Sequence, residues 1–218
     1  MEVLKLKLFQ KTACYKKPFA FKVGETYPLP PYSTVKGMLH NVLGAEEFIP
    51  MGISIQGSYE SQFSDYQSMY FHKPNEVTQM PINMHLLLNV NLIIHVRAEK
   101  QILDEIINGF KNLDEHLYLG RREDLIRIDG IRRTKVSEYD PREVGEPFRI
   151  KNPIYIPNES IEEELKGINY RLNWKYEIIN GLRQWVKKID VKYVEKGESI
   201  TGQVLKVDDE NDMVCFNV

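Results

Sequence analysis

From Tyr27 to Gly44 the chain reads as a rigid proline turn joined to a short helix with a single apolar stripe. A helix of that kind must bury its stripe against another layer, and this constrains everything around it. Pro30 and Pro31 set the entry, and Ser33 is placed as the N-cap, its hydroxyl accepting an orphan backbone N–H. Val35, Met38, Leu39, Val42 and Leu43 recur at i, i+3, i+4, i+7 and i+8, which puts them on one face. Gly44 supplies the left-handed stop. Thr34 and Lys36 stand beside the free N–H groups of the first turn, a ready seat for phosphate. The same residues equally describe an ordinary capped helix on a core.

Around this helix the pattern is regular. Val3 to Phe9 alternates as a strand, with Leu4, Leu6 and Leu8 on one face. Met51–Gln56 and Gly57–Phe63 read as short strands around a glycine. Residues 64–84 form a long excursion, of a length compact domains rarely keep without a use. Leu86 to Val96 is the strongest strand signal. Glu99 to Asn112 reads as a helix, and Leu125–Ile128 as a strand after a glycine turn. The order is βαββαβ, that of a ferredoxin-like or RNA-recognition-motif domain, an α+β class. Beyond it the chain is mostly β, with candidate strands at 148–150, 154–156, 172–176 and 189–194 and a short helix around Trp185. The division expected is 1–139 for the first domain, with an insertion around 52–84, and 140–218 for a smaller β-rich region.

Net charge is −2 over 218 residues, but its distribution is uneven. Residues 1–40 hold seven lysines against Glu2 and Glu25, and 118–135 hold six cations against three acids, while acids gather at 159–164 and 208–212. Separated basic patches fit a protein that holds a phosphate backbone on one side and protein neighbours on another, or simply a solvated surface. From Gly37 to His72 there is no Lys or Arg, and 59–71 carries five aromatic residues. Cys14 and Cys215 lack any CxxC spacing, which suits a reducing compartment. No signal peptide or membrane-spanning run is present, so a cytoplasmic location and no membrane partner are expected.

No nucleotide-binding motif and no metal-ligand spacing occur, so no cofactor is expected. Metal-independent RNA cleavage through the 2′-OH needs only a proton-handling side chain and a cation, for which His40, His72, Lys73 and the tyrosines of 59–70 are eligible by type. Gly120-Arg121-Arg122 offers a close backbone approach with two bidentate phosphate donors behind it, or a surface turn with solvated arginines.

The pairing of Pro30-Pro31-Tyr32-Ser33-Thr34-Val35-Lys36-Gly37-Met38-Leu39 with Tyr118-Leu119-Gly120-Arg121-Arg122-Glu123 resembles the fifth family of CRISPR-associated proteins, the RAMP subunit of Cascade, most closely its type I-B branch. The resemblance runs from Met1 to about Tyr139 and more loosely to the C-terminus. It implies a modified RNA-recognition fold with a thumb β-hairpin inside 52–84, gripping the 5′ handle of the CRISPR RNA (crRNA). It also implies a cap on the backbone-subunit filament, contact with the large subunit, and indirect access to target DNA in antiviral defence. Carried onto this chain, the RNA-facing positions are Tyr32, Ser33, Lys36, His40, Arg121 and Arg122. A type I-C branch cleaves precursor RNA with a tyrosine and a Lys-His pair; here His72-Lys73 is reversed, so a non-catalytic scaffold is expected. The alternatives are a metal-independent endoribonuclease and an interaction domain that touches only protein.

Overall fold

The computed structural model describes residues 1–18, 20 and 22–217. Its elements are β1 (Glu2–Ala13), β2 (Val23–Gly24), α1 (Tyr32–Val42), β3 (Gly52–Ser58), β4 (Ser61–Lys73), β5 (Glu76–Arg97), α2 (Lys100–Lys111), β6 (Arg127–Lys135), β7 (Ser137–Tyr139), α3 (Pro141–Val144), β8 (Phe148–Arg149), β9 (Ile154–Pro157), β10 (Ile168–Ile179), β11 (Leu182–Val194), β12 (Ser199–Ile200) and β13 (Leu205–Val207). One antiparallel sheet dominates, ordered β10-β11-β9-β3-β5-β1-β6, with β4 pairing β5 as a hairpin and β2 pairing β5 in parallel. In chain order β1, α1, β3, β5, α2 and β6 alternate as strand, helix, strand, strand, helix, strand, and β1 lies between β5 and β6.

The leucines of β1 meet Val35, Leu39, Leu103, Ile106 and Phe110 from the two helices in the main core. Gly109 lets the helices touch, since a Cβ there would sit 2.6 Å from a methyl of Val42. The N-cap lies two residues before the expected one: it is Pro31, and Ser33 lies inside the first turn without capping it. The Pro31 carbonyl takes the N–H groups of Thr34 and Val35 instead. The stop is as expected, with Gly44 at φ +60°, its N–H on Asn41 O and the Ala45 N–H on His40 O, the paired bonds of a Schellman end.

Three expectations change in three dimensions. Residues 64–84 are not irregular: β4 and β5 pair without a break from Ser61↔Leu88 to Lys73↔Glu76. The fourth strand of the first region begins at Arg127, not Leu125, and carries Arg132 and Arg133 against β1. The helix expected near Trp185 is a strand, because Asn180 and Gly181 both take positive φ and close a tight hairpin between β10 and β11.

The apolar clusters and the sheet both run across residue 139. Phe148, Ile150, Ile154, Ile156, Val194, Ile200, Leu205 and Val207 form a second cluster. Yet β9 pairs β3 at Gln56↔Ile154, and Tyr155, Leu172, Trp174 and Tyr193 belong to the main core. The acids of 208–212 are also not remote from the cations. Lys5, fully buried on the second face of β1, donates to Asp208 at 2.5 Å, Asp212 at 2.7 Å and Glu210 at 2.7 Å. Lys7 reaches Glu210, and Arg132 reaches Asp209 and Glu210. Much of the expected basic surface on β1 and β6 is thus neutralised inside the molecule.

Candidate nucleic-acid interface

The six expected site residues fall into two places. Tyr32, Ser33, Lys36 and His40 lie along α1, which packs on β10; Arg121 and Arg122 lie in the glycine turn beside the end of β1 and the base of the β4–β5 hairpin.

On α1, Tyr32 is fully buried, edge-on to Trp174, and burial pushes its hydroxyl far above the ordinary range. It packs instead of presenting its ring. Lys36 lies below, with Nζ donating to the Trp174 carbonyl at 2.5 Å and held 4.4 Å from the Trp174 ring centre and 4.7 Å from that of Phe48. No carboxylate pairs with it among the described residues. Burial, and then the nearby charge of Lys175, lower its pKa to about 8. His40 is held through both ring nitrogens. Nδ1 lies 2.9 Å from the Lys36 carbonyl, and Nε2 accepts the Ile49 N–H at 3.0 Å, which assigns the proton to Nδ1. Burial lowers its pKa. Ser33 and Lys36 both line a cleft of about 610 Å³ between α1, the loop after it and the β10–β11 hairpin.

In the glycine turn, the buried Asp124 is the organiser. Its Oδ2 accepts the N–H groups of Cys14 and Arg121, and its backbone carbonyl accepts from Gln10. Gly120 sits at φ +110°, where a Cβ would meet Asp124 at 2.8 Å and the Cys14 carbonyl at 2.9 Å. The close approach that glycine permits is therefore to the chain's own backbone. Arg121 is engaged too: its guanidinium forks onto Asp124, and Nη1 donates to Gln67 of β4 at 3.0 Å. It ties the turn to the hairpin. Arg122 is exposed, with no ion pair among the described residues.

The β4–β5 hairpin stands on a small apolar base of Cys14, Ile82, Met84, Leu86 and Met69. Its other face carries Tyr66 and Tyr70, 76% and 56% exposed and four residues apart on β4, with exposed His72 beyond them. Residue type alone singles out this segment; the strand register shows which tyrosines point outward together. Tyr176, Arg183 and Trp185 also line the cleft beside α1, a grouping that sequence reasoning did not make. The Asn180-Gly181 pair between alternating segments was the available signal. Among the described residues no His, Cys, Asp and Glu side chains gather as metal donors, and no helix is long and apolar enough to cross a membrane.

Residues 3–164 match the profile of the family described as CRISPR-associated protein (Cas_Cas5). The chain belongs to that family. Among solved structures, a chain of a CRISPR RNA-guided surveillance complex superposes with a TM-score of 0.59 at 16% identity, over 90% of this chain and 91% of that one. A CRISPR protein from Archaeoglobus fulgidus superposes at 0.52 and 10% identity, over 100% and 99% of the two chains. These likenesses show a shared fold. Among curated proteins, no sequence matches.

Proposed function

We propose that this family member is the non-catalytic crRNA-binding subunit of a type I-B-like Cascade complex, gripping the repeat-derived 5′ handle and capping the backbone filament in the cytoplasm. In this reading β1, α1, β3, β5, α2 and β6 form the ferredoxin-like RAMP palm, β4 with the outer half of β5 is the thumb, and 140–218 is the smaller β-rich region. Partners would be the handle, the backbone subunit and the large subunit, with target DNA reached through them.

The observation that carries the reading is the family match over residues 3–164. The geometry supports it in three ways. Tyr66 and Tyr70 are presented on a long hairpin, where exposed aromatic faces can stack bases. Ser33 and Lys36 border an open cleft, and a lysine held without a carboxylate gains most from an arriving phosphate. Arg122 is free at the thumb base, with Arg121 fixing the turn behind it. Against an enzyme, His40 has no free lone pair for general-base work, because Nε2 already accepts the Ile49 N–H.

The test is incubation of the purified chain with repeat RNA in EDTA, alongside binding across a salt series. Intact RNA and saturable binding are expected, with Arg122→Ala lowering the salt slope by roughly 0.7, the share of one phosphate contact on a single strand. Site-specific cleavage would establish the endoribonuclease instead, and no RNA binding at any salt would leave a protein-only interaction domain.

A further inference from the structure

The cleft beside α1 has a second wall that the expected site residues do not include. Lys36, Glu46 and Glu47 stand on the α1 side; Tyr176, Arg183 and Trp185 stand on the β10–β11 hairpin. Tyr176 and Trp185 are directly paired across the two strands, their rings edge to face with centres 5.6 Å apart. Each is more than a third exposed. The Arg183 guanidinium lies 4.1 Å from the Tyr176 ring centre.

Charge on this hairpin does not cancel as it does on β1 and β6. Residues 168–194 hold Arg171, Lys175, Arg183, Lys187, Lys188 and Lys192 against only Glu177 and Asp190. Both acids are taken, Asp190 by Arg171 and Glu177 by Lys175. Arg183, Lys187 and Lys188 have no carboxylate partner among the described residues. Exposed aromatic rings on a hairpin with unneutralised cations, Arg183 against Tyr176 and Lys187 and Lys188 further along β11, suit single-stranded nucleic acid, in which bases stack while phosphates meet the cations. A duplex offers no such base faces. Glu46 and Glu47 on the opposite wall would hold a phosphate chain to the hairpin side.

We infer that the β10–β11 hairpin is a second arm for single-stranded RNA, stacking a base on the Tyr176–Trp185 pair and holding phosphates with Arg183, Lys187 and Lys188. This arm is separate from the β4–β5 hairpin. It rests on the RNA-binding reading above and adds a contact surface to it. The apolar tip at Ile178, Ile179 and Leu182 offers a protein partner some surface, but such a partner would have to answer three cations without carboxylate partners as well.

The experiment uses the full-length protein and fluorescein-labelled uridine RNA of about 12 nucleotides, a length suited to one binding module, with anisotropy read across a KCl series. Replacing Arg183, Lys187 and Lys188 together with Ala should lower the salt slope by about two. Trp185→Ala should weaken binding about tenfold, whereas Trp185→Phe keeps the stacking face and most of the affinity. Should Trp185→Ala fail to fold by circular dichroism, the triple variant and Trp185→Phe decide. If the wild type binds and the triple variant matches its affinity and slope, the second arm is overturned while the RNA-binding reading stands. The arm is equally overturned if the triple variant binds RNA normally but loses association with other complex subunits. A wild type that binds no RNA overturns both.

Discussion

At the scale of single residues, the molecule treats its lysines in two opposite ways. Burial alone would lower the pKa of Lys5, but the hydrogen bonds it donates to Asp208, Asp212 and Glu210 raise it. Lys36 is buried against aromatic rings and a carbonyl, and its pKa falls from 10.5 to about 8. The sign for Lys36 is unusual. Because the folded value lies below the unfolded one, the unfolded chain binds more protons between pH 8 and 10.5, and stability rises across that window. At pH 7 the full penalty of the buried charge is present. Lys36→Met should therefore be more stable than wild type at pH 7, by urea denaturation, with the gap narrowing by pH 9. A variant less stable at pH 7 would mean that the Trp174 carbonyl and the two rings more than compensate the charge.

At the scale of elements, the two hairpins differ in how they are held. Among the described residues the β4–β5 hairpin is held near its base, by Arg121 on Gln67, by β2 alongside Asn83 and Met84 of β5, and by the Met69, Ile82 and Met84 cluster. Replacing residues 70–79 with a two-residue Asn-Gly turn removes strand pairs that touch little else. Melting temperature should shift by no more than a few degrees, while assembly with guide RNA and backbone subunit is impaired, as size-exclusion chromatography would show. Normal assembly by the folded variant would assign the hairpin another use. Point changes at Tyr66 and Tyr70 to Ala should each cost roughly 1–3 kcal/mol of RNA binding if a base stacks there, with no loss of fold, since both rings are exposed.

At the scale of the whole molecule, the C-terminal 208–212 loop is the clasp. It closes on β1 and β6 through Lys5, Lys7, Arg132 and Thr134. Against the opposing effect of burial, His95 and Lys5 together hold the Asp208 carboxyl far below the usual carboxylate range. Lys5 and Lys7 hold that of Glu210 at about 2, against an ordinary 4.5. Depressed carboxylate values give stability that is complete above about pH 4.5 and lost as pH falls toward 2. Lys5→Met leaves Asp208 buried with a partner missing and should destabilise by about 3–5 kcal/mol, measured by denaturant at pH 7. A loss below about 1 kcal/mol, the range of an exposed ion pair, would show the loop to be ornamental. The alternation of β1 and β5, the stripes of both helices and the Gly44 stop are local patterns, so the βαββαβ order was legible in the chain itself. The register of β4 on β5, the capture of Lys5, Arg121 and Arg132 by acids that the fold brings to them, and the meeting of α1 with the β10–β11 hairpin depend on tertiary pairing. No local period encodes them. Composition could therefore count the charges of this protein, but only the packed sheet decided which cations were neutralised within and which remained free for a partner.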